Sequence, residues 1–377
     1  MTSFFLADAQ TLAQGTPVTS LHLVLGWPAV RAQLTGLCQR ELSSAGGPIQ
    51  YDAFGMFELM LPGQWHGLSD THLGQALRVR MDFMVFTGSE PGVGELPAAI
   101  TFCRFRNRVV KANKHQRPLK EVDRQLEHAG LKVSGPQGAI FDATSAVRRN
   151  TGVEVGQDES GWAPNINFCV DHEARWTQKG KTSFLGYTGY SAVDIEDGYT
   201  AVVSMAPANE SEVNKLEAVV DQITDVRGQT PHGVLADQGY HSAANREMRK
   251  ARDIVDLIRH KASHITPLQT SNKRFNALVV KVRFKVEQSY GTMKQHIHLN
   301  RACYFGQRKV EAQMVWAALS INLLKAYRQI ENWCLEGSGA ICSARRGQEG
   351  IEFVQIEAKS SEVRQQLSHY EKFAAVW

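Results

Sequence analysis

Near Gly138 the apolar residues of this chain turn from helical spacing to short runs that then alternate with helical stretches, and neither an all-helical nor an all-sheet architecture accommodates both halves. From Trp27 to about Gly130 they recur at helical intervals. Asp70 to Phe86 is an example: Leu73, Leu77, Met81 and Met84 mark one face, and Ser69 or Asp70 is placed to cap it. Ser89 to Ala98, rich in Gly and Pro, reads as a loop, after which Ile100 to Gly130 returns to helix. Beyond Gly138 the apolar residues come in short runs bounded by turn formers, and 139–141, 184–193 and 199–205 read as three consecutive strands. Val213, Leu216, Val220 and Ile223 then mark a helix; 233–236 reads as a buried strand, 245–252 as a helix, 254–258 as a strand, and 276–295 and 309–331 as long helices. The expected order is β-β-β-α-β-α-β-α, an α/β fold with a mixed sheet covered by helices. Arg148 to Pro164, polar and Gly-containing, is expected to be an exposed loop.

A length of 377 residues exceeds one average domain, so a core with a smaller module is expected. The spacing divides the chain into an arm over 1–28, a helical domain over 29–130, an α/β domain over 131–330 and a tail over 331–377. The longest apolar runs, such as Met314 to Leu319, fall far short of the roughly 18 residues a membrane span needs, and the N-terminus lacks a basic start followed by an apolar stretch. A cytoplasmic protein is therefore expected. Six cysteines without any CxxC spacing argue against a zinc site and a disulfide framework. His260 and His264 sit four apart, but no acidic third ligand has matching spacing, so they are expected to touch solvent or a partner.

The formal charge of +4 is modest but unevenly spread. Arg104 to Arg124 holds eight Lys or Arg against two acids, and Lys281 to Lys309 holds seven against one, Glu287. Two such runs point to a polyanion such as nucleic acid more strongly than either alone. Asp142 follows three apolar residues in Gly-Ala-Ile-Phe-Asp-Ala-Thr, and Asp237 repeats that arrangement in Gly-Val-Leu-Ala-Asp-Gln-Gly-Tyr, so both are expected at strand ends. If the first and fourth strands are neighbours, the two carboxylates meet, and their repulsion makes a divalent cation the natural partner. On the helix that follows, Val279, Val282, Val286 and Met293 form the apolar stripe, with Glu287 beside it. Arg283 and Lys294 lie four before and seven after Glu287, so the three side chains point the same way within roughly 60°.

These segments together resemble bacterial insertion-sequence transposases of the DDE type, in particular the group named after insertion sequence five. The resemblance rests on Phe141-Asp142-Ala143-Thr144, on Ala236-Asp237-Gln238-Gly239-Tyr240, and on Arg283, Glu287 and Lys294 with three and then six residues between them. Arg301-Ala302-Cys303-Tyr304-Phe305-Gly306, Asn322 to Lys325, and Trp65 to Asp70 with Cys103 to Arg108 extend it over about residues 47–330. Val280 stands where the family has Tyr, and Pro62-Gly63 is expected to interrupt an apolar helical segment. The resemblance implies an RNase H-like catalytic core preceded by a helical DNA-binding domain. It implies that Asp142, Asp237 and Glu287 hold two Mg2+ ions, with Mn2+ an alternative, for cleavage and strand transfer of DNA. Arg283 and Lys294 would hold phosphates near the cut, while Arg104, Arg106, Arg108, Lys111, Arg301 and Lys309 would contact the DNA backbone. The partners implied are double-stranded DNA, both terminal repeats and target, and a second copy of the chain in the synaptic complex; the location implied is the bacterial nucleoid. The rival readings are a nuclease of the same fold that cuts without joining, and a DNA-binding protein that has lost catalysis.

Overall fold

The computed structural model describes residues 25–37, 51–87, 96–132, 138–147, 154–157, 164–167, 171–179, 181–262, 267–299, 301–335, 346–347 and 350–351. Among the described residues the first half holds the helices α1 (Trp27–Gln33), α2 (Ala53–Trp65), α3 (Asp70–Val79), α4 (Met81–Thr87), α5 (Ala99–Lys111) and α6 (Arg117–His128). The single helix expected over Asp70 to Phe86 is two, because Arg80 takes an extended backbone (ψ 117°) and redirects the chain. Ser69 caps α3 by accepting from the His72 amide. Pro62 does not interrupt α2, which runs on to Trp65. It lies within the last turn, where the Glu58 carbonyl gives up its helical donor and the helix ends three residues later. Gly63 has a separate reason: a Cβ there would lie 2.9 Å from Leu73 Cδ2, so its absence lets α3 approach.

The second half holds strands β1 (Gly138–Val147), β2 (Glu154–Gln157), β3 (Pro164–Asn167), β4 (Arg175–Lys179), β5 (Thr182–Asp194), β6 (Thr200–Pro207), β7 (Gly233–Ala236) and β8 (Val255–Ile258). Helices α7 (Leu216–Arg227), α8 (Ala243–Ala251), α9 (Thr270–Gln295) and α10 (Gln307–Leu335) follow or separate them, and α10 runs past residue 330. The main sheet has the order β4-β5-β1-β7-β8, with β6 also on β5. Strand β5 is antiparallel to β1, whereas β7 and β8 run parallel to it. This is the mixed, RNase H-like sheet expected, with one strand, β4, added at the edge beyond β5, while β2 and β3 pair with each other in a separate two-stranded sheet. The loop expected over Arg148 to Pro164 instead contains β2, which pairs with β3 beyond it.

Side-chain alternation sends β1 to two cores. Ile140 and Ala146 join the core under α9 and α10, while Ala139 and Phe141 join the one under α7 and α8. The α9–α10 core also takes in Phe57, Trp65 and Phe105 from the helical half.

Candidate active site and nucleic-acid interface

Strand register brings the two Asp residues level. Ile140 of β1 pairs with Leu235 of β7, so Asp142 and Asp237, each two residues further along parallel strands, stand side by side on the same face. Asp142 lies in the middle of β1 and not at its end, because Ala143 to Val147 continue to pair with β5. The expectation of a strand-end Asp holds for Asp237, which follows Ala236 and opens a short turn by accepting from the Gln238 amide at 2.7 Å.

Helix α9 lies over this face. Its buried stripe of Val279, Arg283, Val286, Tyr290 and Met293 repeats every three or four residues and faces the sheet. Arg283 is therefore carried inward with the apolar residues, and its guanidinium meets all three acids. Contacts run to Asp142 Oδ2 at 2.9 Å, Asp237 Oδ1 at 3.2 Å and Glu287 Oε1 at 3.3 Å. Burial works against the guanidinium charge, but Asp142, Asp237 and Glu287 outweigh it and hold its pKa above the usual value. The Asp142 side chain is 16 % exposed and that of Glu287 59 %, so a ligand entering from solvent meets Glu287 first.

Two further residues fix this arrangement. Tyr290, buried beneath the site, donates to the Asp142 carbonyl at 2.7 Å and accepts from Ser191 Oγ at 2.8 Å, which pins α9 to β1 and β5. Burial, with Asp142 adding to it, pushes its hydroxyl pKa well up, so it stays a neutral donor. Arg259, just beyond β8, reaches Asp237 Oδ1 at 2.9 Å. Sequence reasoning missed both. Arg259 had a signal in being polar directly after the apolar end of a short strand, the same cue that singled out Asp237.

The three carboxylates that reach Arg283 are oxygen donors of the kind a hard divalent cation takes, so in donor chemistry they suit such an ion. In this arrangement the Arg283 guanidinium stands between them, and no cluster of three acids, His or Cys is closed among the described residues. The His260 backbone amide donates to Asn276 Oδ1 and its ring packs on Phe275, while His264 lies outside the described residues.

The two basic runs meet. Arg308 donates to the Val110 carbonyl at 3.3 Å, and the Arg106 guanidinium lies 4.5 Å over the Tyr304 ring, so α5 abuts the segment leading into α10. Arg104, Arg108, Lys111 and Arg301 are exposed there, and Lys309 is half-buried. Arg106 faces inward, paired through both nitrogens with Asp70. Lys294, half-buried, follows Glu287 by seven residues, about 10 Å along the helix axis. Val280, in the position of the family's Tyr, is exposed on α9. Trp65 and Trp316 are core residues, and Trp176 is partly exposed.

Fold and site together define a class: an RNase H-like core with acidic residues gathered at one sheet face, in a chain that also carries exposed Arg and Lys on α5 and at Arg301. The chain belongs to the family of the transposase DDE domain, whose model matches residues 133–323, and a second model, a transposase domain, matches residues 7–108. The family is one of DNA-cleaving enzymes. A curated relative, the transposase for insertion sequence element IS1106 of Neisseria meningitidis serogroup B, is 35 % identical over 234 residues, which cover 61 % of this chain and 78 % of that protein. Among solved structures, a piggyBac transposase synaptic complex with hairpin DNA aligns at TM-score 0.39 and 10 % identity, over 87 % of this chain and 76 % of that one. A Mos1 paired-end complex with the left transposon end aligns at 0.21 and 11 %, over 76 % and 82 %. No helix among the described residues is long and apolar enough to cross a membrane.

Proposed function

We propose that this protein cuts the ends of an insertion sequence and joins them to target DNA, with Asp142, Asp237 and Glu287 as ligands for two divalent ions, Mg2+ or Mn2+. The observation that carries the reading is the convergence of these three carboxylates, from β1, β7 and α9, on the single guanidinium of Arg283. Such ions, when bound, stabilise the attacking and leaving oxygens of an in-line phosphoryl displacement. Asp142 and Asp237 are the fixed part of the ligand set, held by strand register and by Tyr290, and Glu287 is the accessible part. Water attacks the phosphodiester at the element end first, leaving a 3'-hydroxyl and a 5'-phosphate. That hydroxyl then attacks a target phosphodiester and displaces a second 3'-oxygen, so no covalent enzyme intermediate is needed. Arg283 and Lys294 hold phosphates flanking the reacting one, and the fork of Arg283 suits a bidentate grip. Arg104, Arg108, Lys111, Arg301 and Lys309 give sequence-independent backbone contacts, with the helical half as the DNA-binding domain. The IS1106 relative, named as an insertion-sequence transposase, supports the same substrate class. Two element ends must be brought together, which two copies of the chain would do.

The test combines purified protein and Mg2+ with a labelled duplex carrying the cognate element end and a supercoiled target. Joined products are expected, lost roughly a thousandfold in Asp237→Ala and absent without metal. Cleavage without joining would favour a nuclease; specific binding without cutting at any metal concentration would leave only a DNA-binding protein.

A further inference from the structure

Resting on the reading of Asp142, Asp237 and Glu287 as the metal ligands, we propose that Arg259 is a second guanidinium of the site. It neutralises Asp237 in the metal-free protein and grips a DNA phosphate once divalent ions take the carboxylates.

Three adjacent parallel strands place it there. Ile140 is level with Leu235, Leu235 with Leu257, and Ala236 with Ile258. Asp142, Asp237 and Arg259 therefore follow one another across β1, β7 and the end of β8 at one level and on one face. The Arg259 amide continues the ladder by donating to the Ala236 carbonyl at 3.2 Å, so its backbone is as firmly positioned as that of Asp237. Both guanidiniums converge on the same atom, Asp237 Oδ1, Arg259 at 2.9 Å and Arg283 at 3.2 Å. That oxygen also accepts from the Gln238 amide.

Neither guanidinium is fully used in this arrangement. The Nε atoms of Arg259 and Arg283 are both buried with no hydrogen-bond partner among the described residues, so each group has a donor that only a further acceptor would satisfy. A phosphate supplies such acceptors, and Arg presents Nε and a terminal nitrogen to it as a fork. Charge leads to the same exchange. Three carboxylates and two guanidiniums sum to −1, whereas adding two divalent ions takes the site to +3, which anionic DNA would offset. Metal and Arg259 compete for one oxygen, and metal and DNA cooperate.

This predicts effects of opposite sign from one substitution. Mn2+ titrations of DNA-free protein, read by the electron paramagnetic resonance of the free ion, would compare wild type, Arg259→Gln, Arg259→Lys and Asp237→Asn. Arg259→Gln is expected to bind Mn2+ about three- to tenfold more tightly, since an opposite charge at hydrogen-bond distance is removed from a partly screened ligand. Arg259→Lys should stay near wild type, and Asp237→Asn should bind more weakly. In Ca2+, the same Arg259→Gln protein should bind a duplex carrying the element end about fivefold more weakly, with one fewer phosphate contact in the salt dependence. A purely structural role for Arg259 would not tighten metal while loosening DNA. Equal Mn2+ affinity in wild type and Arg259→Gln, or unchanged DNA affinity, would overturn the proposal. Mn2+ binding that ignores Asp237→Asn, or no Mn2+ binding by any variant, would overturn the metal-ligand reading beneath it.

Discussion

Arg104 and Arg106 stand two residues apart in one basic run and do different things. At about 100° per residue, Arg104, Arg108 and Lys111 share one side of α5, while Arg106 falls about 200° away among Phe102, Phe105 and Val109, which are buried. Its guanidinium is taken up by Asp70 and the Tyr304 ring. Removing it strands a partly buried Asp70, so Arg106→Ala should destabilise the protein by about 2–4 kcal/mol. Arg104→Ala should leave stability within about 0.5 kcal/mol and lower DNA affinity, reducing the salt slope by about 1. Calorimetry and salt-dependent DNA binding on the two variants check this; an Arg106→Ala protein with an unchanged melting temperature would mean that the pair adds nothing to the fold. The distinction was legible in the sequence, because helical period alone sorts these residues. A count of basic residues does not. Tyr290 was not legible in the same way, since its partners, Ser191 and the Asp142 carbonyl, lie 99 and 148 residues away.

Among the elements, the strands departed most from expectation. The apolar run 139–141 marks only the part of β1 buried on both faces. Ala143, Thr144 and Ser145 are small or polar and extend the strand because β5 offers a paired edge. β5 in turn owes its fit to Gly189, opposite Thr144: a Cβ there would meet Met314 Sδ of α10 at 2.6 Å. Gly189→Ala should therefore cost about 1–3 kcal/mol in urea unfolding, as overpacking against a buried but flexible side chain does. Met314→Ala in the same protein makes room for the methyl group, so the double variant should lose less than the sum of the two single losses. Strict additivity would mean that β5 and α10 are not in close contact at this point.

Across the whole molecule, α10 joins the halves. Phe57 meets the Trp316 ring edge-on at 5.9 Å, the Trp65 indole donates to the Ser320 carbonyl at 3.1 Å, and His115 and Gln116 both reach Glu311. With one apolar core running from the first helices to the sheet, the full chain should unfold in a single calorimetric transition. A fragment of residues 131–335 would expose the Trp316 side of α10 and should lack a cooperative transition. Two separated transitions in the full chain, or a cooperatively folding fragment, would show that the helical half is dispensable to the core.

Local sequence determined the kinds of element and most of their order, because helical and strand periods depend only on which neighbouring residues are apolar. Strand context also drew attention to Asp142 and Asp237, whereas Arg283 and Glu287 stood out only through the resemblance to the transposase family, since their spacing alone fits an ordinary helical ion pair. Only the tertiary structure decided that Asp142, Asp237 and Arg259 stand level on three strands, that Arg283 lies between the acids, and that α10 binds both halves into one core. Each of those facts depends on the pairing or packing of residues far apart in the chain, which no local period specifies.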